Sequence, residues 1–431
     1  MTGSFFRSVF HAGSIYLFFS LLTRAIPFLL LPLLTRYIDP VGYGVVSVVM
    51  MVTSIATPII GVCSNSVLFQ LYFKLDDAGR TDFVTDCYKI IVFNTVLACV
   101  LVVPFASIVE TRLQLSIGWL EVALLGAGAG MITTLTTSLF QIKKQALQYG
   151  VFQAVGALIN VSFTLLLVIA AGWAWQGRIW AMTISAFIVA VAAIVVNHRS
   201  ANIAWRGFRS AGHMGSVFRL GGALVPSTIA GWAINMSDRL FLTSMTSLEQ
   251  VGIYAVGVMI AQVSDVFLNA LGQAYLPHLY EHGHRRDEEG RIRLVQGIYA
   301  LVGVSLAVAL TVACAGPYVL ELFIDPRYHS AASVIAWVCF SSAFFSIAAI
   351  FHGLILVAEK NVVTIYVSAL TLAVNVLGNY LLIGRFGMVG AAMGNTLSAF
   401  TFMVLLVAFS FKFTDLPWLD RRVYRLSIAN G

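Results

Sequence analysis

The chain has 431 residues, 59% of them hydrophobic and 10% charged, against roughly 25% charged in an average soluble domain. A water-soluble fold cannot cover that much apolar surface, which excludes a soluble enzyme or binding module. The net charge of +7 does not point to nucleic acid, because the bases fall in short segments between apolar runs, the pattern of membrane orientation.

Apolar runs of bilayer-crossing length, ~20 residues each, fall at about 10–36, 41–63, 88–109, 117–140, 149–171, 178–197, 218–244, 250–276, 294–320, 330–357, 361–383 and 387–411. They predict an all-α integral membrane protein of twelve transmembrane helices. The first run lacks a short apolar core followed by a small-residue cleavage site, and reads as a retained span rather than a signal peptide. With a cytoplasmic N-terminus, nineteen of the 26 bases lie in inner segments, among them Lys74, Arg80, Lys143 and Lys144. Arg36, Arg112, Arg178, Arg327 and Arg385 lie outside, while Arg24 and Arg239 remain within spans. This bias places both termini in the cytoplasm. No outer segment is long enough to fold as a domain. Of the longer inner loops, the one at 70–87 carries Asp76, Asp77, Asp82 and Asp86, and without D-x-D spacing these read as a solvated loop. The five cysteines have no framework spacing and read as packing residues.

In the first span Arg24 shares a face with Ser20 and Pro27. Two readings stay open: a guanidinium that binds an anion, or an ion pair to Asp238 or Asp265. The chain then begins a second time. LTRYIDPVGYGVVSVV (34–49) resembles MTSLEQVGIYAVGVMI (245–260), with Gly42 against Gly252. Asn160 in INVSFTLLLV likewise matches Asn375 in VNVLGNYLLI, and Gly177-x7-Ser185-Ala186-Phe187 matches Gly390-x7-Ser398-Ala399-Phe400. The three offsets are nearly equal and six spans separate the copies, so both halves insert with one orientation, as parallel repeats do. The expected domains are an N-terminal lobe, 1–209, and a C-terminal lobe, 210–431.

At the start of the second half, Asn235, Asp238 and Arg239 fall at i, i+3, i+4 on one helical face. On the next span Gln262, Asp265, Asn269 and Gln273 form a polar stripe at steps of three and four. An ionisable group at the bilayer midplane costs ~2.5–3.5 kcal/mol on insertion scales, so these residues are expected to face a wet cavity and contact substrate. Asp238 and Asp265 are the candidates for a coupling proton or sodium ion. The stripes Gln153, Gly156, Asn160, Thr164 and Thr364, Ser368, Thr371, Asn375, Asn379 read as hydrogen bonding between helices. His352 reads as a satisfied core histidine. No G-x4-G-K-[ST], H-E-x-x-H, G-x-S-x-G or paired-cysteine motif occurs, so neither a P-loop nucleotide site, a cofactor, a metal nor enzymatic activity is expected.

The pattern Arg24-x11-Arg36-x5-Gly42-Tyr43-Gly44, its echo Asn235-x2-Asp238-Arg239 followed by Val251-Gly252-Ile253-Tyr254, and the two six-span halves resemble the polysaccharide transporter family. These are the O-antigen (Wzx-type) oligosaccharide flippases of the multidrug/oligosaccharidyl-lipid/polysaccharide exporter superfamily, and the resemblance covers essentially the whole chain. It implies a bacterial inner-membrane protein with two six-helix lobes related by pseudo-two-fold symmetry, as in MATE-type exporters. Such a protein flips an undecaprenyl-pyrophosphate-linked oligosaccharide between leaflets, and works beside a polysaccharide polymerase and chain-length proteins. Arg24, Asp238, Arg239 and Asp265 fit the charged cavity positions on which family members depend. The rival reading is a cation-coupled multidrug exporter, which would favour acids and aromatic rings over arginines.

Overall fold

The computed structural model describes residues 19, 23, 25–200, 202–203, 212–283, 288–358, 360–414, 416–418 and 420. Every described element is helical. In chain order they are α1 (Ala25–Tyr37), α2 (Pro40–Ile60), α3 (Ser64–Leu71), α4 (Asp77–Val102), α5 (Ala106–Leu113), α6 (Ile117–Ile142), α7 (Ala146–Thr164), α8 (Ala174–Arg199), α9 (Met214–Met245), α10 (Leu248–Gly283), α11 (Glu288–Phe323), α12 (Ala332–Val357) and α13 (Asn361–Phe413). Ten of the described helical stretches are long and apolar enough to cross a membrane. Of the first expected span, α1 is the longest described piece.

The last of these helices, α13, has 53 residues and contains Gly387, whose φ of 56° and ψ of −131° leave helical space. Only glycine adopts that conformation without steric cost. The side chains of Asn375 and Ser398 hydrogen-bond at 3.0 Å, whereas a straight helix would hold positions so spaced roughly 35 Å apart at 1.5 Å rise per residue. The chain therefore folds back at Gly387, and α13 is an antiparallel pair.

Two stretches differ from the sequence reading. Asp76 caps α4, its Oδ1 accepting from the Gly79 N–H at 2.9 Å, so most of the expected loop at 70–87 is helix. Within it Asp86 is 1% exposed. Its Oδ1 pairs with Lys89 at 2.9 Å and its Oδ2 accepts from the His213 N–H at 3.1 Å, which corrects the solvated-loop reading for that residue. Arg178, expected in an outer loop, is buried in the first turn of α8.

The chain packs as two compact units: Met1–Met236 with Ser247–Gly252, and Ser237–Thr246 with Ile253–Gly431. In the first, α4 and α6 bring Phe83, Ile91, Leu135 and Leu139 into one core with Val67 and Leu68. In the second, Ile298, Phe351, Leu354 and Leu406 surround Trp418, whose ring stacks on Phe411 at 4.6 Å. Between membrane helices the stabilisation comes from close contact and hydrogen bonds rather than from escape from water.

One close contact falls where a helix breaks. Val62 and Cys63, between α2 and α3, both have positive φ, 48° and 50°, which is a strained conformation for a β-branched residue. Asn94 of α4 donates to the Ile60 carbonyl at 2.8 Å, covering one of the groups the break frees. From α9, Gly221 lies so near that an added Cβ would drive into the Val62 carbonyl oxygen, while one at Gly222 would meet nothing within 4 Å. We expect Gly221→Ala to cost about 1–3 kcal/mol, the usual range for overpacking, and Gly222→Ala to be near neutral. Paired thermal unfolding of the two variants in detergent checks this contrast.

Candidate functional site

In the second unit the carboxylate expected in the cavity is a buried one. Asp238 is 4% exposed and its Oδ2 accepts a short hydrogen bond from the phenol of Tyr254 on α10. Its Oδ1 accepts from the Arg239 backbone N–H at 2.7 Å. A carboxylate removed from water needs such donors, since an unpaired one would be neutralised or strongly destabilising. Tyr254 is itself fully buried.

The residue before it, Ser237, opens a second cluster. Its hydroxyl donates to Asn375 Oδ1 at 2.6 Å, and Asn379 Nδ2 reaches both Asn375 Oδ1 at 3.1 Å and Ser237 Oγ at 3.3 Å. Asn375 Nδ2 in turn donates to Ser398 Oγ at 3.0 Å. All four side chains are buried. Asn379 Oδ1 is also buried and has no hydrogen-bond partner among the described residues.

The other expected site residues divide. Arg24 lies outside the described residues, as does the side chain of Gln273. Asn235 is exposed and donates to the Gly231 carbonyl at 2.8 Å, so it is turned away from the buried environment of Asp238. Arg239 and Asp265 are half-buried. Gln262 and Asn269 are exposed, and Asn269 donates to the Asp265 carbonyl at 2.7 Å. The α10 stripe thus stands as a polar face, whereas Asp238 has left the surface.

The first unit contains a counterpart that the repeat anticipates. Asn160 Nδ2 on α7 donates to Ser185 Oγ on α8 at 2.8 Å, the same pair as Asn375 and Ser398. In both copies the serine hydroxyl donates to the carbonyl three residues earlier, Met182 at 2.9 Å and Asn395 at 2.8 Å. The copies differ in what meets the asparagine oxygen. In the first unit it is Arg178, whose Nη1 donates to Asn160 Oδ1 at 2.9 Å and to Thr164 Oγ1 at 2.6 Å. In the second it is Ser237, next to Asp238. Tyr254 enters the sequence reading only as part of a motif. Its pairing with Asp238 has no sequence signal beyond a tyrosine facing an acid on adjacent helices.

This all-helical membrane fold, with buried polar clusters repeated in two units, is the fold of MATE and MurJ proteins. The structure resembles "Lipid II flippase MurJ" in an inward closed conformation, with a TM-score of 0.72 at 8% identity over 95% of this chain and 87% of that one. It also resembles an inward-facing multidrug resistance MATE family transporter, with a TM-score of 0.65 at 14% identity over 90% and 94%. An uncharacterized membrane protein of Haemophilus influenzae is 24% identical over 67% of this chain and 68% of its own length. One of Methanocaldococcus jannaschii is 26% identical over 43% of this chain and 37% of its own. The family described as "Polysaccharide biosynthesis protein" matches residues 10–282, and the MatE family matches residues 224–381. The chain belongs to the polysaccharide biosynthesis protein family, within the multidrug/oligosaccharidyl-lipid/polysaccharide exporter superfamily.

Removing the phenol hydroxyl tests the buried pair. We expect Tyr254→Phe to destabilise the protein by about 1–3 kcal/mol, the cost of leaving a buried acceptor short of a donor. In an Asp238→Asn background the same change should cost less, with a coupling of at least about 0.5 kcal/mol. Unfolding of the two singles and the double in one detergent gives the cycle, and strict additivity would mean that the two side chains act independently.

Proposed function

We propose that the chain is a flippase that moves an undecaprenyl-pyrophosphate-linked oligosaccharide, an O-antigen or exopolysaccharide repeat unit, from the cytoplasmic to the periplasmic leaflet. The match of residues 10–282 to the polysaccharide biosynthesis family carries this reading, and the likeness to a lipid II flippase supports it. The chemistry agrees. A pyrophosphate and a sugar chain cannot cross hydrocarbon unaided, so the protein must supply a cation for the phosphates and hydrogen-bonding groups for the hydroxyls, while the polyprenyl tail stays in lipid. Arg24 is the cation of this reading, and Asn235, Arg239, Gln262 and Asn269 are the further substrate contacts.

Alternating access driven by an ion gradient or the membrane potential moves the head group. Asp238 and Asp265 are the coupling groups. Asp238 suits that role because its carboxylate is buried between the Tyr254 phenol and the Arg239 backbone N–H, and gain or loss of a proton or cation there changes a charge that water screens weakly. The bilayer of this reading is the bacterial inner membrane, with both termini cytoplasmic, and the partners are a polysaccharide polymerase and chain-length proteins.

The MatE match, residues 224–381, includes Asp238 and Asp265 and favours a second reading, a cation-coupled multidrug exporter. Complementation of a flippase-null strain separates the two, scored by surface glycan and by lipid-linked intermediate retained inside. Wild type should rescue. Arg24→Ala should lower rescue by about 10- to 100-fold, the worth of a charge-assisted hydrogen bond of about 1.5–3 kcal/mol. Full rescue by Arg24→Ala removes that residue from the mechanism. Failure of wild type to rescue, with transport of fluorescent cations into everted vesicles lost in Asp265→Asn, favours the exporter.

A further inference from the structure

At one end of the first unit, the end of α3, the first turns of α4 and the segments just past α6 and α8 enclose a cavity of about 240 Å³. Tyr72, Asp77, Arg80, Thr81, Lys143 and Asn202 line it. It is half-open and smaller than the roughly 300–1,000 Å³ of drug-sized pockets, a size that suits a phosphate-sized group.

Two cations are held in place there. Arg80 lies over the Tyr72 ring at 4.9 Å and donates its Nε–H to the Tyr72 carbonyl at 2.8 Å. Its Nη1 reaches Asp77 Oδ1 at 2.8 Å, and among the described residues its Nη2 group has no further partner. Lys143 Nζ donates to Asn202 Oδ1 at 2.5 Å, a neutral oxygen that cannot cancel its charge. Asn202 is fixed from behind, its Nδ2 donating to Asn197 Oδ1 at 3.1 Å, and Asn197 is buried among Tyr88 and Thr136.

Among the described residues the one carboxylate lining the cavity is Asp77, which is 97% exposed, and an exposed pair of this kind contributes little. An incoming anion can displace it. Burial, and then the positive charge of Arg80, push the Lys143 ammonium below its ordinary value, with Asp77 opposing. Two neighbouring cations, Lys143 on a neutral oxygen and Arg80 on an exposed carboxylate, with one negative charge between them among the described residues, describe an anion site.

We infer that this cavity binds a phosphate group, with Arg80 and Lys143 on its oxygens and the Asn202 amide beside them. A guanidinium fork and an ammonium suit a multiply charged tetrahedral anion. The cavity opens where membrane helices end, the level at which basic pockets between helices meet phospholipid headgroups. The inference is independent of the glycan carried. A phospholipid headgroup and a soluble phosphate or pyrophosphate share this chemistry.

The intact protein, delipidated in neutral detergent, is tested two ways. Native mass spectrometry compares retention of phosphatidylglycerol with phosphatidylcholine, and calorimetry follows inorganic phosphate and pyrophosphate. Wild type should bind at least one of the anions in preference to the zwitterion. Arg80→Gln with Lys143→Gln should weaken that binding by at least about tenfold, the worth of one charge-assisted contact. Asp77→Asn, an exposed change with no packing cost, should tighten it a few-fold by removing the competing carboxylate. Retention of phosphatidylglycerol alone identifies a headgroup site, and binding of phosphate or pyrophosphate identifies a soluble ligand. No anion binding by wild type, or equal binding by wild type and both variants, overturns the inference. The Asp77→Asn arm reads out even where the double variant unfolds.

Discussion

Between membrane helices little water reaches a stray donor or acceptor, so a polar atom placed there is costly unless it finds a partner in the protein. In each unit an asparagine on one helix donates to a serine on the next, and that serine donates to its own helix one turn back. Such a contact is worth about 0.6 kcal/mol on average in a membrane protein, too little to hold a helix pair alone. Its larger effect is on register. Shifting either helix by one residue would strand an amide in an apolar interface, at a cost of several kcal/mol per unsatisfied group. The pair thus fixes how α7 lies on α8, and how the two arms of α13 lie on each other.

That register places the charged groups. In the first unit the asparagine oxygen is filled by Arg178, a guanidinium in the first turn of α8. In the second it is filled by Ser237, which sits on the helix that also presents Asp238 to Tyr254. The hydroxyl and the carboxylate are consecutive residues, so any rotation of α9 about its axis moves both. The Asn375 cluster and the Asp238–Tyr254 pair are therefore coupled through one stretch of backbone, and the buried carboxylate is positioned by neutral hydrogen bonds made beside it.

The apolar runs made the helices legible, because bilayer crossing demands length and composition that few soluble segments have. The repeat made Asn160, Asn375, Ser185 and Ser398 legible, since equal offsets flag positions that do equal work in two copies. What periodicity could not supply is the partner. Asp238 falls on one face with Asn235 by spacing, yet the structure buries one and exposes the other, because burial depends on the neighbouring helix rather than on the angle alone. Asp86 was hidden by counting acids in a polar stretch, where the N-cap at Asp76 already signals that a helix starts ten residues earlier. The break at Val62 and Cys63 leaves no glycine or proline at the strained positions themselves. Gly61 caps α2 just before them and Pro58 lies inside its last turn, so the place of the break was legible while its left-handed backbone was not.

The difference between the two copies bears on where coupling can reside. A guanidinium keeps its proton throughout the accessible pH range, so the Asn160 cluster holds a charge that does not change. A carboxylate can exchange a proton or accept a cation, and its hydrogen bond from Tyr254 is strong only while it is charged. Neutralising Asp238 would weaken that bond and loosen the contact between α9 and α10 within the second unit, while the Asn375–Ser398 contact, made of neutral groups, would persist. The same asparagine–serine contact thus sets helix register in both units whatever the charge on Asp238, and beside it one copy carries a fixed guanidinium and the other a carboxylate.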